Sequence, residues 1–384
     1  MKKIVYFISI GILLAITNSC IEEFDAATEE FEDALVVEAT ITNELKYHEI
    51  LLSRTYKFED YEPNLEPGAV IKIETSNNET YSFRESGLGV YTSTQMFKAE
   101  PNVEYTLSIN TKDGNEYVSQ STQLTNVTSI DNVYASKTID EDGVEGVGLY
   151  VDSYDPSNNS KYYGYAFEET YKVVVPYWSP DDLILNSSGG FSVVPRSQEE
   201  QTCYNTIASK GRMLVNTNLL EEDRISEFLL KFIPSDNIRL NTRYSILVKQ
   251  YTQSRESYNY LKVLDEFSSS QSLLSQIQPG FLSSNIYEVN NSNEKVLGFF
   301  EVSSISEKRI FFNREDVLDS FYAWPCTIID PPANELTTMV RLDRVTLVYE
   351  KPMGEDGGPY DVVARICGDC TMSGSNIKPD FWED

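Results

Sequence analysis

A single histidine, three tryptophans and a shortage of positive charge set the first limits on this chain. Any His-dependent triad, imidazole relay or His-ligated zinc site would have to use His48, because the 384 residues hold no second histidine. His48 falls on an N-terminal strand pattern, far in sequence from other candidates, and reads as a partly exposed strand or turn residue. Lys and Arg number 31 against 60 Asp and Glu, a formal charge of −29. Such a surface repels nucleic acid and anionic lipid, so neither is an expected partner. Stretches of helical period are scarce, no internal repeat recurs at a fixed spacing, and no apolar run approaches the ~20 residues of a spanning helix. No residue cluster points to a cofactor, a bound metal or a catalytic set.

What is present begins with an address. Lys2 and Lys3 lead into an apolar run from Ile4 through Ile16, followed by Thr17-Asn18-Ser19 and then a lone cysteine, Cys20. That order is the grammar of a bacterial lipoprotein leader, with residues 1–19 as signal peptide and Cys20 as the lipid anchor. Thr17 departs from the aliphatic residue usual three places before a lipidated cysteine; the competing reading is ordinary secretion with Cys20 as a plain thiol. Residues 20–33 carry Glu22, Glu23, Asp25, Glu29, Glu30, Glu32 and Asp33 and read as an extended acidic tether. In some Gram-negative envelopes, acidic residues directly behind the lipid cysteine resemble a signal for display on the outer face. The expected location is the outer membrane, lipid-anchored and facing the exterior.

Beyond the tether the chain predicts an all-β protein: an immunoglobulin-like β-sandwich over residues 34–126, then a larger mainly-β domain with a few helical insertions over 127–384. Leu35, Val37, Ala39 and Ile41 alternate with Val36, Glu38 and Thr40, the period of a half-buried strand. The alternation returns in Ala69 to Glu74 and in Tyr105 to Ile109, separated by turn chemistry at Glu66-Pro67-Gly68, Asn77-Asn78 and Gly87-Leu88-Gly89. Asp113-Gly114 is the dipeptide a tight hairpin prefers. Short strands at this spacing are those of a sandwich. In the second domain the pattern predicts a long hairpin with arms Val147–Ser153 and Tyr162–Val175 around Asp155-Pro156-Ser157-Asn158-Asn159. A polar excursion to Gln201 follows, then strands at Tyr244–Tyr251, Val296–Ser303, Arg309–Phe312 and Met339–Tyr349. Of two helices, the clearer starts at an N-cap Ser254 and stacks Tyr258, Leu261, Leu264 and Phe267 near one stripe.

Few side chains suggest chemistry. Apart from Cys20 the cysteines are Cys203, Cys326, Cys367 and Cys370, an even number in an exported chain, where disulfides are the default. Zinc wants two close pairs and here only Cys367 and Cys370 are close; a redox CxxC wants a thioredoxin-like βαβ setting that is absent. Both alternatives are therefore weaker, and the pairing is not legible. Glu168 and Glu169 are neighbours on a strand and point to opposite faces, so they do not form a glycosidase pair and read as solvated. Asp140 to Glu145 offers oxygen ligands round a glycine but lacks the twelve-residue calcium loop, and reads as an acidic turn. Tyr163, Tyr165, Phe167 and Tyr171 share a strand face and read as sandwich core, with Tyr162 on the other face. Tyr177 and Trp178, beyond Pro176, are the candidates for a partner or ligand surface, because amphipathic aromatics dominate binding hot spots. The closing Phe381-Trp382 suggests a tail packed down beside a cysteine staple.

The segments Leu35-Val36-Val37-Glu38-Ala39-Thr40-Ile41-Thr42, Gly68-Ala69-Val70, Tyr244 to Tyr251, Gly298-Phe299-Phe300 and the ending from Cys367-Gly368-Asp369-Cys370 to Lys378-Pro379-Asp380-Phe381-Trp382, taken in order from Cys20 to the last residue, resemble the domain of unknown function 4249 family. The resemblance implies an outer-membrane lipoprotein of Bacteroidota, often encoded beside TonB-dependent transporters, and transfers no catalytic residues. The expectation is a non-enzymatic accessory partner of a TonB-dependent outer-membrane barrel in nutrient capture, with a glycan or peptide as possible ligand. A structural or adhesive envelope component that binds glycan or host matrix is the alternative, and a hydrolase working without histidine is the third reading.

Overall fold

The computed structural model describes residues 34–55, 64–269, 284–291, 293–351 and 358–384. The leader, Cys20 and the acidic stretch lie outside them. The first strands are β1 (Leu35–Thr42), β2 (Glu49–Arg54), β3 (Asn64–Leu65), β4 (Val70–Thr75), β5 (Thr80–Gly87), β6 (Val90–Ser93), β7 (Glu104–Asn110), β8 (Glu116–Ser119) and β9 (Thr122–Gln123). There follow β10 (Ile130–Ile139), β11 (Glu145–Asp155), β12 (Tyr162–Val174), β13 (Asp181–Leu185), β14 (Phe191–Pro195), β15 (Thr202–Ala208), β16 (Met213–Asn216), β17 (Asp223–Pro234) and β18 (Arg243–Thr252). The last are β19 (Ile286–Glu288), β20 (Val296–Asn313), β21 (Val345–Glu350) and β22 (Tyr360–Ala364); the helices are α1 (Arg255–Ser269), α2 (Arg314–Val317) and α3 (Ala333–Arg341). The class is all-β with sandwich-like layers and few helices, as the period-two patterns predict.

In the first layered unit the inward residues of β1 (Leu35, Val37, Ala39, Ile41), β4 (Ile71, Ile73) and β7 (Tyr105, Leu107, Ile109) are buried together with Tyr91 and Tyr117. The strand order β20-β1-β2-β6-β5-β4-β7-β8-β19 curls round this core. Its two ends meet through a side chain: Asn285, just before β19, donates Nδ2 to the Phe300 carbonyl (2.9 Å) and accepts the Phe300 N–H at Oδ1 (2.8 Å). Residues 34–126 therefore share this core with β19 and the first half of β20. The Asp113-Gly114 turn does join β7 to β8, with Ile109 opposite Tyr117 and Gly114 at φ 94°.

β20 is the spine. The two strands expected at Val296–Ser303 and Arg309–Phe312 are one strand of 18 residues. Its first part pairs in parallel with β1, Leu35 opposite Val296 through Thr42 opposite Ser303. Its second part pairs antiparallel with β18, Ser304 opposite Thr252 through Asn313 opposite Arg243. The polar run Ser303 to Lys308 looks like a loop but marks the handover from one sandwich to the next.

The second sandwich lays β10-β11-β17 over β15-β12-β18-β20. Val147, Leu149 and Val151 face Tyr163, Tyr165, Val173 and Tyr244 across the interior, and Tyr165 Oη lies 3.0 Å from Ser153 Oγ. Tyr162, on the opposite face, packs on Tyr258. The expected hairpin of β11 with β12 is corrected: β11 pairs with β10 and β17, while β12 pairs with β15, β16 and β18. The Asp155 turn carries the chain from one sheet to the other. Its carboxylate accepts from the N–H of Ser157, Asn159 and Ser160 and from two hydroxyls, and Lys161 at φ 66° swings the chain away from a hairpin path.

The excursion before Gln201 is not structureless. It forms the β13–β14 hairpin, whose Leu183, Phe191 and Val193 pack with Leu336 of α3 and with Leu347 and Val362 of β21 and β22 in a small third core. Met339 to Arg341 are the end of α3 and not the start of a strand. Ser254 does cap α1, accepting the Ser257 N–H at 3.0 Å. The stripe is shifted, however: Tyr258 and Tyr260 are buried and Leu264 is 44% exposed, while the Phe267 side chain lies outside the described part.

Where the two sandwiches join, Glu301 of β20 is buried and gathers five donors. Arg212 reaches it at 2.6 Å, Gln253 at 3.0 Å, Ser257 of α1 at 2.9 Å, Ser303 at 2.6 Å and Thr40 of β1 at 3.2 Å. Burial pushes this carboxyl up, but the Arg212 charge and the donors from Ser303 and Gln253 outweigh it and hold the pKa down at about 2. The Arg212 guanidinium also lies 3.7 Å from the centre of the Tyr251 ring.

Candidate functional site

β20 ends at Asn313, and the loop that follows it borders a cleft. Arg314 opens α2, its N–H bonded to the Thr242 carbonyl at 2.8 Å, and Asp316 accepts the Asn313 N–H at 2.7 Å. One turn later Leu318 drops into the second core, and the chain loops out through Phe321, which is 95% exposed. Between this loop and residues 241–242 lies a cleft of about 450 Å³ lined by Asn241, Thr242, Arg314, Leu318, Phe321 and Tyr322. Arg314 is buried, and burial lowers its guanidinium pKa.

The residues singled out from sequence are scattered about this frame. The four cysteines form Cys203–Cys370 and Cys326–Cys367, so the two halves of the Cys367-Gly-Asp-Cys370 motif go to different partners and hold the C-terminal segment against β15 and the 320s loop. Trp382 is buried against Tyr204 and Phe311, and the Phe381 ring lies 3.7 Å from the Arg309 guanidinium. Tyr177 and Trp178 are half-buried beside this staple. The Tyr177 N–H bonds to the Cys367 carbonyl at 3.1 Å, and the Trp178 side chain packs against the second core with its Nε1 buried.

His48 is not a partly exposed strand or turn residue. It is 1% exposed, tilted against the Phe97 ring, with Nε2 3.0 Å from the Phe97 carbonyl and Nδ1 buried without a partner. Burial, with a smaller push from Lys46, lowers its pKa to about 4. The strand carboxylates also divide otherwise than expected. Glu168 is partly exposed and pairs with Arg309 at 3.3 Å; Glu169 is fully buried and takes Lys231 at 2.6 Å, Arg239 at 3.4 Å and the Tyr244 hydroxyl. A solvated reading of Glu169 fails because Lys231 of β17, Arg239 of the turn at Ile238–Leu240 and Tyr244 of β18 bring two cations and a phenol to its face of the sheet. Asp140 spends Oδ1 on the N–H groups of Asp142 and Val144 in its own turn. Among the described residues no three of His, Cys, Asp and Glu gather closely enough to hold a metal ion, and no helix is long and apolar enough to cross a membrane.

The aromatic surface missed in the sequence is on the outer face of β10-β11-β17. Gly146 and Gly148 occupy outward positions of β11 yet are buried, because the rings of Phe232 and Tyr150 lie over them. A Cβ on Gly148 would stand 2.6 Å from the Tyr150 ring. Tyr134 stacks on Tyr150 at 5.5 Å between centroids. Two glycines at alternate positions of one strand, Gly146 and Gly148, were the available signal. The cleft had none, since its walls are some seventy residues apart in sequence and meet only through the β18–β20 pairing.

The profile of the family described as Domain of unknown function (DUF4249) matches residues 21–309, about three quarters of the chain. The chain belongs to the DUF4249 family. The matched span covers the first sandwich and ends inside β20; the cleft residues Arg314 to Tyr322 and three of the four bridged cysteines lie beyond it, as does the Cys-Gly-Asp-Cys to Lys-Pro-Asp-Phe-Trp ending. No curated protein and no solved structure matches the chain.

Proposed function

We propose that this DUF4249 protein is a non-enzymatic, lipid-anchored outer-membrane protein that serves as an accessory partner of a TonB-dependent transporter in nutrient capture. The observation that carries the reading is the order of parts along the chain. The basic and apolar leader pattern, Cys20 and the acidic stretch precede β1, and β1 enters at Leu35, opposite Val296 at the start of β20. The cleft sits beyond Asn313 at the other end of β20. The strand's contour between these ends is about 55 Å at ~3.3 Å per residue. An anchor at Cys20 would thus hold one end near the bilayer and leave the cleft end to meet ligand or partner. Anchoring also confines both proteins to one surface, so weak docking suffices, and a lipoprotein cysteine carries several acyl chains where one would bind only marginally. The burial of His48 and the engagement of Glu169 and Glu301 in ion pairs favour a binding role over hydrolysis.

The test is fractionation and pulldown from native membranes. The wild-type protein is expected in the outer-membrane fraction, bringing a barrel transporter with it, and Cys20→Ala is expected to be released. A lipidated protein that brings down glycan or matrix protein and no barrel would favour the adhesive alternative.

A further inference from the structure

Among the described residues Arg314, 6% exposed, is the one buried Lys or Arg, and its hydrogen-bond partners include no carboxylate. Its Nε donates to the Ser320 carbonyl (2.6 Å), Nη1 to the carbonyls of Ser235 (2.8 Å) and Leu240 (3.1 Å), and Nη2 to Ser320 Oγ at a long 3.3 Å. All four acceptors are neutral. A guanidinium has five N–H bonds, so one on Nη2 is left without a protein acceptor. This matters in a chain of charge −29, where carboxylates outnumber cations nearly two to one. Buried Glu169 and Glu301 have both recruited cations, yet the buried cation has recruited no anion. Removing a charge from water without a counter-ion is unfavourable, and an anion that reaches Arg314 would relieve it.

Arg314 also lines the cleft of about 450 Å³. Beside it the Phe321 ring stands 95% exposed and the Tyr322 ring centre lies 5.9 Å from the guanidinium, giving an apolar platform next to the unmatched charge. Glu315 and Asp319 also line the cleft. Both are exposed, and Asp319 lies 3.5 Å from Lys137. Water and salt screen these two charges more than a contact made at Arg314, but they disfavour a ligand of multiple charge.

We propose that the Arg314 cleft binds a monocarboxylate, its carboxylate pairing with Nη2 of Arg314 and its ring or apolar body resting on Phe321. A peptide-like carboxylate and an acidic sugar share this chemistry. The inference concerns the folded domain and does not rest on the membrane-partner reading.

The test is calorimetric titration of the purified full chain at low salt with hippurate and with glucuronate, each beside its neutral counterpart, hippuramide or methyl glucoside. At least one carboxylate is expected to bind about tenfold or more tightly than its neutral counterpart, as charge-assisted pairing requires. Whichever acid binds identifies the source. Phe321→Ala, at a side chain too exposed to support the fold, is expected to weaken binding about fivefold with thermal stability unchanged. Arg314→Gln is expected to abolish binding, and because Arg314 also ties three loop carbonyls, thermal unfolding is run alongside. The proposal is overturned if neither acid binds at concentrations up to about 20 mM. It is equally overturned if the neutral compounds bind as well as the acids, or if Phe321→Ala leaves binding unchanged.

Discussion

Replacing Glu301 by glutamine keeps the shape of the junction between the two sandwiches and removes its charge. Arg212, whose side chain is 18% exposed, then loses its buried counter-ion. Thr40, Gln253, Ser257 and Ser303, which all donate to the carboxylate, must share one amide oxygen. Two routes give the magnitude. A carboxyl held at about 2 against its ordinary 4.5 corresponds to about 3 kcal/mol at 1.36 kcal/mol per unit, and removing one partner of a buried pair costs about 3–5 kcal/mol. Glu301→Gln is therefore expected to lower stability by about 3 kcal/mol at pH 7. The sign with pH follows from the folded value lying below the unfolded one: the contribution is complete above about 4.5 and disappears as pH falls through 2. Urea unfolding of both proteins at pH 7, 5 and 3 measures this, with Arg212→Met and the double variant completing a cycle. A deficit below about 1 kcal/mol at pH 7 would refute the reasoning, since that is the worth of an exposed pair. A deficit unchanged down to pH 3 would refute it too.

His48 gives the one histidine C2–H resonance of the chain, and its NMR titration is expected to have a midpoint near 4; a midpoint at 6 to 7 would contradict its burial. Because that value lies below the ordinary 6.5, the His48 contribution to stability is complete above 6.5 and is lost as pH falls through 4, by up to about 3 kcal/mol. Non-reducing peptide mapping is expected to yield Cys203–Cys370 and Cys326–Cys367, and replacing the first pair by serine should cost about 2–5 kcal/mol; a Cys367–Cys370 peptide would contradict the structure. Gly148→Val forces the Tyr150 ring off the sheet and should destabilise by about 1–3 kcal/mol in the same unfolding assay; a neutral result would mean that the ring does not need that space.

How far the chain announces its fold depends on whether a signal is local. β1, β4 and β7 are legible because one face is core and the other solvent, so the period of two survives in the residues. The Asp113-Gly114 turn is legible because positive φ demands such residues. The Asp155 turn misleads for the same reason, since a hairpin and a crossing between sheets use the same turn chemistry and differ only in which strands pair. β20 reads as two strands because its middle leaves one core before entering the next. His48 and Glu169 look solvated because polar residues usually are, and only the packing of Phe97 or the arrival of Lys231 reverses that. The cysteine pairing and the Arg314 cleft depend on contacts between segments distant in sequence, which no short window contains.

The proposed role is that of an anchored protein working beside a transporter. Mild crosslinking of the native protein in its own membranes, followed by mass spectrometry of its neighbours with Cys20→Ala as control, tests it most directly. One TonB-dependent barrel is expected to dominate the crosslinked neighbours and to be lost from the Cys20→Ala sample. A lipidated protein whose neighbours include no such barrel would contradict it.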